Sequence, residues 1–257
     1  MRSATPTAAG LAVVSTQPLS LVDYPGRPAT VLFVAGCNFR CPFCHNPELV
    51  IPGACGRPPR AWSELLASLR RSRWLIDSVV VTGGEPLLQP QLPRALRALR
   101  AQGLRVKLDT NGSRPDLLAP LLEEGLLDYV AMDVKAPLAR YDELAGVRVD
   151  TAAIERSIRL LRRFAPDYEF RTTVAPTLAF AELLRIAWCV SGARRFVLQP
   201  FFCSGEGTLL DPRFERQAAM TPRELCRVCE RIRHRFPDGG VRGVSCPRAL
   251  NSGGTSG

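Results

Sequence analysis

The sequence predicts an α/β protein built as an open, partial (β/α)6 barrel. Three observations carry this. Apolar runs of four to seven residues alternate with segments whose apolar positions recur at helical spacing. The connections between them are mostly short, which implies parallel strands joined by right-handed crossovers. The residues with chemical character fall just after the strands, where sites assemble in parallel α/β folds. Six units are too few for a closed eight-unit barrel, so the sheet is expected to stay open.

Residues 1–17 read as a loosely ordered leader, and residues 18–28 as an irregular lead-in with turn chemistry at Tyr24, Pro25 and Gly26. The first strand covers 30–35, and Gly36 ends it before a cysteine-rich loop. Residues 47–59 contain Pro and Gly without periodicity and read as an extended loop. A helix follows over 62–71. Three consecutive valines make 78–81 a strand buried on both faces. The alternation then continues: helix 91–102, strand 104–108, helix 115–124, strand 129–132, helix 151–164, strand 168–174, helix 179–190 and strand 195–199. The last helix, 221–236, begins with Thr221 as N-cap, Pro222 in its first turn and Glu224 at the capping-box position. Residues 18–250 are expected to form one domain, and the Gly/Ser-rich stretch 251–257 a flexible tail.

The composition narrows the class. The 257 residues are 46% hydrophobic, enough for a substantial core, and the net charge is +10. No stretch approaches the roughly 18 uninterrupted apolar residues of a membrane span, so no membrane association is expected. The apolar run at 8–14 has a thin positive region and no convincing cleavage site. Nine cysteines, three of them tightly clustered, argue for metal binding in a reducing, cytoplasmic compartment rather than a secreted disulfide framework. The arginines are spread over helices (Arg70, Arg71, Arg73; Arg94, Arg97, Arg100; Arg156, Arg159, Arg162, Arg163) and read as solvated faces. Nucleic acid is therefore not the expected partner, while a basic surface suits an acidic protein.

The chemistry centres on Cys37, Cys41 and Cys44, spaced C-x3-C-x2-C on one loop. Three thiolates can hold three irons of a four-iron cluster and leave the fourth open to a ligand. The competing reading is structural zinc, which favours paired C-x2-C knuckles and four protein ligands; Cys55 is the nearest candidate for a fourth. Gly83, Gly84 and Glu85 follow the second strand, where glycines permit a close backbone approach and a carboxylate can accept from an ammonium group. Asp109, Thr110 and Asn111 follow the third strand, and Asp133 and Lys135 the fourth. Asp109 suits ribose hydroxyls or a cation, and Lys135 a carboxylate; a salt bridge between the two is the plain structural alternative. Cys226 and Cys229 share a helix, and with Cys203 and Cys246 they offer either a second metal site or ordinary buried thiols. Cys189 reads as a core residue.

The run from Cys37 to Cys44 resembles the signature of the radical S-adenosylmethionine enzymes. The adjoining His45 and Asn46 resemble the branch that activates glycyl-radical enzymes, to which pyruvate formate-lyase activating enzyme belongs. The closest likeness is to the anaerobic ribonucleoside-triphosphate reductase activating proteins. It is carried by residues 21–26, 36–49, 108–112 and 132–137.

The resemblance implies a radical SAM type of partial barrel and a [4Fe–4S] cluster on Cys37, Cys41 and Cys44. It implies reductive cleavage of S-adenosylmethionine to a 5′-deoxyadenosyl radical that takes a hydrogen from a glycine of a partner enzyme, here an anaerobic ribonucleotide reductase. Phe43 would pack near the adenine, Gly83, Gly84 and Glu85 would hold the methionine amino group, and Lys135 its carboxylate. Asn111 would add polar contacts, and Asp109, Thr110 and Asp133 would hold a monovalent cation. A low-potential donor such as flavodoxin or ferredoxin would supply the electron. The sequence departs from pyruvate formate-lyase activating enzyme after the last strand, where Phe202 stands in place of a His. Arg171, in the fifth strand, is a weaker candidate to face the cofactor. Two other readings stay open: a radical enzyme acting on a small molecule or modified nucleoside, and a non-enzymatic metal-binding protein.

Overall fold

Eight strands form a single sheet in the computed structural model, which describes residues 10–51, 54–56, 58–203, 205 and 207–246. The strands are β1 (Val13–Tyr24), β2 (Arg27–Val34), β3 (Ser78–Gly83), β4 (Arg105–Thr110), β5 (Tyr129–Asp133), β6 (Tyr168–Val174), β7 (Arg195–Pro200) and β8 (Asp238–Val241). They lie side by side in chain order, and β1 and β8 are the two open edges. Strands β2 to β7 are the six expected parallel strands, so the open α/β architecture is as the sequence predicts.

The two edge strands are additions. Residues 13–17, expected within a leader, and 18–24, expected as irregular lead-in, form β1, which pairs antiparallel with β2 through the turn at Pro25 and Gly26. Residues 1–9 of that leader, and the tail 251–257, lie outside the described residues. Strand β8 pairs parallel with β7 and completes a seventh unit after the last helix.

The helices are α1 (Pro47–Val50), α2 (Trp62–Arg71), α3 (Leu92–Ala101), α4 (Pro115–Glu123), α5 (Tyr141–Ala145), α6 (Thr151–Phe164), α7 (Phe180–Cys189) and α8 (Pro222–Ile232). The single turn α1 interrupts the loop expected over 47–59, and α5 was not anticipated. The capping box at α8 forms: Glu224 N–H donates to Thr221 Oγ1 at 3.3 Å, and Thr221 N–H donates to Glu224 Oε2 at 2.8 Å. Among the described residues no helix is long and apolar enough to cross a membrane.

Strand side chains alternate between two faces. Val79, Val81, Val106, Leu108, Val130, Met132, Phe170 and Leu198 join the helices in the main core. Ala29, Val31, Val80, Tyr129 and Ala131 face the other way and form a second, smaller apolar cluster with Tyr24. By the same alternation Lys107, Asp109, Asp133, Glu169 and Arg171 lie on that second face, so the concave side of the sheet is apolar in one part and charged in another.

The cysteines outside the loop are disposed differently from either expectation. Cys226 and Cys246 form a disulfide, with Cα atoms 5.2 Å apart, which corrects both the second metal site and the reading as free buried thiols for that pair. Cys203 and Cys229 are free and half-buried, and Cys189 is half-buried rather than fully in the core. The disulfide ties α8 to the chain just after β8.

Candidate functional site

The register of the sheet places every predicted site loop at one end of the barrel. Val34 lies opposite Gly83, Val81 opposite Leu108, Thr110 opposite Met132 and Asp133 opposite Arg171. A cavity of about 210 Å³ opens there. Cys37, Cys41 and Cys44 line it together with Phe43, Gly83, Gly84, Asp109, Thr110, Asn111, Asp133 and Lys135. Glu85 and Cys55 do not line it.

Phe39 N–H donates to Cys37 Sγ at 3.4 Å, and the Arg40 guanidinium donates to the Cys37 carbonyl at 2.7 Å, which fixes the start of the loop. Burial pushes all three thiols up, Cys41 to about 12. The nearby Lys135 ammonium works in the opposite direction on each of them. Among the described residues no group of three or more His, Cys, Asp or Glu side chains is set to hold a single ion. Three thiolates on one loop suit a cluster, in which each takes a different iron.

Gly83 and Gly84 are required by the protein's own backbone. A Cβ on Gly84 would lie 1.9 Å from the Gly36 carbonyl oxygen, and one on Gly83 would lie 2.4 Å from Val34 N. Glu85 N–H donates to that Gly36 carbonyl at 2.8 Å. The glycine pair thus lets the end of β3 lock onto the cysteine loop.

Glu85 points away from the cavity. Its carboxylate accepts from Thr110 Oγ1 at 2.9 Å, Asn111 N at 2.7 Å and Leu87 N at 3.1 Å. Burial raises it to about 7 against the pull of those donors. In this structure Glu85 ties the β3 loop to the β4 loop, and it lies outside the cavity lining. Asn111 carries the chain of contacts onward: its Nδ2 donates to Asn38 Oδ1 at 2.9 Å, beside Cys37.

The charged groups form one network. Arg171 Nε donates to Asp133 Oδ1 at 2.8 Å, and its NH1 donates to Asp109 Oδ2 at 3.1 Å. Lys107 Nζ reaches Asp109 at 2.6 Å and Lys135 Nζ reaches Asp133 at 2.9 Å. Burial opposes ionisation of both carboxylates, but Arg171 with Lys107 holds Asp109 below its ordinary range, and Arg171 with Lys135 holds Asp133 well below. The direct Asp109–Lys135 bridge is not formed; Arg171 and Asp133 stand between them. The Thr110 hydroxyl is likewise engaged by Glu85. In this structure Asp109 and Asp133 share the Arg171 guanidinium, and a monovalent cation on Asp109, Thr110 and Asp133 would have to be held beside it.

Lys107 and Arg171 complete the network. The alternation Arg105, Lys107, Asp109 against Val106, Leu108 signals a polar inner face, and Lys107 is fully buried on it. At the rim, His45 is exposed; its Nε2 donates to the Phe202 carbonyl, and its ring lies 5.9 Å from that of Phe201. Phe202 itself is 69% exposed beside the cavity. Phe43 is buried, its ring 6.4 Å from that of Phe214.

Residues 31–187 match the model of the Radical SAM superfamily. The chain is 32% identical over 189 residues to a candidate glycyl-radical enzyme activating enzyme of Methanocaldococcus jannaschii, spanning 71% of this chain and 77% of that one. It is 37% identical over 134 residues to 7-carboxy-7-deazaguanine synthase of Methanopyrus kandleri, covering 44% of this chain and 52% of the relative. It is 35% identical over 126 residues to pyruvate formate-lyase-activating enzyme of Clostridium pasteurianum, covering 47% and 51%. Among solved structures, SuiB of Streptococcus suis bound to its precursor peptide superposes with a TM-score of 0.60 at 16% identity, over 81% of this chain. The chain spans about half the length of SuiB and of the latter two relatives.

Proposed function

The chain belongs to the radical SAM superfamily, and we propose that within it the protein is an activase that takes a hydrogen atom from a glycine of a partner glycyl-radical enzyme. The family works with a [4Fe–4S] cluster and S-adenosylmethionine. The observation that carries the reading is that Cys37, Cys41 and Cys44, spaced C-x3-C-x2-C, line one cavity with Gly83, Gly84 and Lys135. Those three thiols would hold the cluster. When bound, it supplies the electron that splits the sulfonium into methionine and a 5′-deoxyadenosyl radical.

The chain's own groups do the positioning. Phe43 offers an apolar face beside the third cysteine. Lys135, on the cavity wall, would meet the methionine carboxylate while Asp133 keeps it charged. Gly83 and Gly84 present backbone to the ligand. The amino group would be met by that backbone.

The activase assignment is supported by the relative spanning 71% of the chain and by the likeness of residues 21–26 and 36–49 to activating proteins of anaerobic ribonucleotide reductase, the partner we propose. The exposed rim at His45 and Phe202 is where the partner's glycine loop would enter. A second reading, a radical enzyme acting on a modified nucleoside precursor, is favoured by the synthase relative that covers 44% of the chain.

The test is anaerobic. The cluster is reconstituted and reduced, S-adenosylmethionine and the partner are added, and a glycyl radical is sought by electron paramagnetic resonance. Formation of 5′-deoxyadenosine without a protein radical sinks the activase assignment and leaves the second reading. Cys41→Ser is expected to lose both cluster iron and cleavage; retained cleavage would refute the ligand assignment.

A further inference from the structure

Cys226, Cys229 and Cys246 meet at one corner of the sheet, away from the cysteine loop. Cys226 on α8 is bonded to Cys246, which follows shortly after β8. Cys229 lies three residues after Cys226, on the same side of the helix, and is free. Cys229 and Cys246 border one cavity of about 410 Å³, together with Phe196, Ile232, Phe236 and Val244. Cys226 borders a separate groove with Arg223 and Arg227.

The strand held by this bond is weak by itself. Strand β8 is Asp-Gly-Gly-Val, and among the described residues it pairs with β7 alone. Its two glycines lose more conformational freedom on ordering than any other residue would. The residue after it closes the inner face of the sheet. Arg242 N–H donates to the Leu198 carbonyl at 2.9 Å, and its guanidinium reaches Glu169 Oε1 at 3.6 Å. Glu169 is buried, and among the described residues that oxygen accepts no hydrogen bond. Glu169 stands two residues before Arg171, on the same face of β6. At the other end of β8, Asp238 pairs with Arg195 at 2.7 Å. Release of β8 would break both ion pairs and uncover the inner face next to Arg171.

The corner is chemically one-sided. Cys226 is buried, whereas Cys246 is half-buried on a cavity wall, so an external thiolate meets Cys246 first. The sulfur it expels is that of Cys226, beside Arg223 and Arg227, and a thiolate next to cations is the better leaving group. Burial pushes Cys229 to about 11, so at neutral pH it stays a thiol and leaves the neighbouring bond intact. Cys37, Cys41 and Cys44 must stay reduced to ligate a cluster, and disulfides in reducing surroundings are usually transient.

We infer that Cys226–Cys246 is a thiol-exchange latch: a dithiol reductant opens it at Cys246, and opening frees β8 from the edge of the barrel. A thiolate of the reductant attacks Cys246 Sγ, the bond to Cys226 breaks, and Cys226 leaves as a thiolate that takes a proton from solvent. The reductant's second thiol then attacks its own sulfur in the mixed disulfide, releases Cys246 as a thiol and closes the reductant's disulfide. Two electrons pass to the chain and the reductant is oxidised by two.

The test uses the cluster-loaded full chain, held anaerobically in buffers of stepped oxidised-to-reduced dithiothreitol ratio. The state of Cys226 and Cys246 is read by alkylation and peptide mass. Amide hydrogen exchange is read over residues 237–246 and, for reference, over β4. Reduction should raise exchange over 237–246 at least tenfold, with β4 within twofold of its oxidised value. Cys226→Ser/Cys246→Ser should show the fast exchange at every ratio, and the reduced wild type carries the test alone if that variant does not fold. Cys229→Ser should keep the disulfide and follow wild type. A bond that resists excess reduced dithiothreitol in the folded chain, or equal exchange over 237–246 in both states, overturns the inference. So does an equal rise over β4, which would make the bond a general brace, or loss of the disulfide in Cys229→Ser. None of these readouts involves S-adenosylmethionine or a partner, so the activase assignment can fail without altering them.

Discussion

Arg171 Nε donates to Asp133 Oδ1 at 2.8 Å across the β5–β6 register, and the same guanidinium holds Asp109 one strand further on. One cation therefore bridges two carboxylates on the wall of the cavity, each of which also holds a lysine.

Replacing Arg171 with Met should leave Asp109 with Lys107 alone and Asp133 with Lys135 alone, in a site where charge is poorly solvated. Breaking a buried pair from one side costs about 3–5 kcal/mol, and the remaining lysines should bring the loss below that range. Asp133 is held well below its ordinary range, so this stabilisation is present above the unfolded value of about 4 and is lost as the pH falls through the folded value. Urea unfolding of Arg171→Met against wild type should show the full difference at pH 7 and a shrinking one below about pH 4. A difference independent of pH would mean the guanidinium acts by packing alone.

Glu85 carries the opposite sign. Its folded carboxyl is raised to about 7 from 4.5, chiefly by burial. The folded state therefore keeps the proton longer than the unfolded chain, and stability is lost as the pH rises from about 4.5 to 7. That loss is on the order of 3 kcal/mol. Glu85→Gln has no such proton to hold. Its stability relative to wild type should improve across this window, and parallel pH curves for the two proteins would rule the account out.

Gly84 is the tightest contact between the β3 loop and the cysteine loop. Its substitution by Ala places a methyl against the Gly36 carbonyl, 1.9 Å away before relaxation. Overpacking of this kind costs about 1–3 kcal/mol, and relief requires the cysteine loop to shift. Gly84→Ala should therefore retain less iron per chain after reconstitution than wild type. Iron content equal to wild type would show that the loops are not coupled.

The four site loops were legible because each follows a short apolar strand and is punctuated by Gly or by a charged residue. Cys37 to Cys44, Gly83 to Gly84, Asp109 to Asn111 and Asp133 to Lys135 all reach one cavity. Which groups face the ligand was not legible. Glu85 and Lys107 are charged residues at or near strand ends, and only the three-dimensional pairing shows that one is consumed by neighbouring N–H and O–H donors and the other by Asp109. Strand β1 is not legible in the sequence because it is an edge: it contains Pro18, its pairing with β2 is irregular in several places, and Leu21 and Val22 are 71% exposed. Strand β8 reads as a turn in sequence, Asp-Gly-Gly-Val, and is a strand because β7 pairs with it. A Cβ at Gly239 would lie 2.5 Å from the Phe196 carbonyl.

Phe202 offers apolar surface at the rim and makes its hydrogen bond through its carbonyl alone. Phe202→Ser should leave 5′-deoxyadenosine formation in the absence of partner unchanged, while the partner concentration for half-maximal radical formation rises at least fivefold, about 1 kcal/mol. A loss of cleavage itself would instead assign Phe202 to the cofactor.

The most direct measurement follows the hydrogen itself. The partner reductase is prepared with its glycines deuterated at the α-carbon and incubated anaerobically with the reduced, cluster-loaded chain and S-adenosylmethionine. The 5′-deoxyadenosine is then analysed by mass spectrometry. Activation of a glycyl-radical enzyme predicts that the recovered 5′-deoxyadenosine carries a single deuteron, in step with the growth of the protein radical. Unlabelled 5′-deoxyadenosine, formed at the same rate with or without the partner, would contradict it.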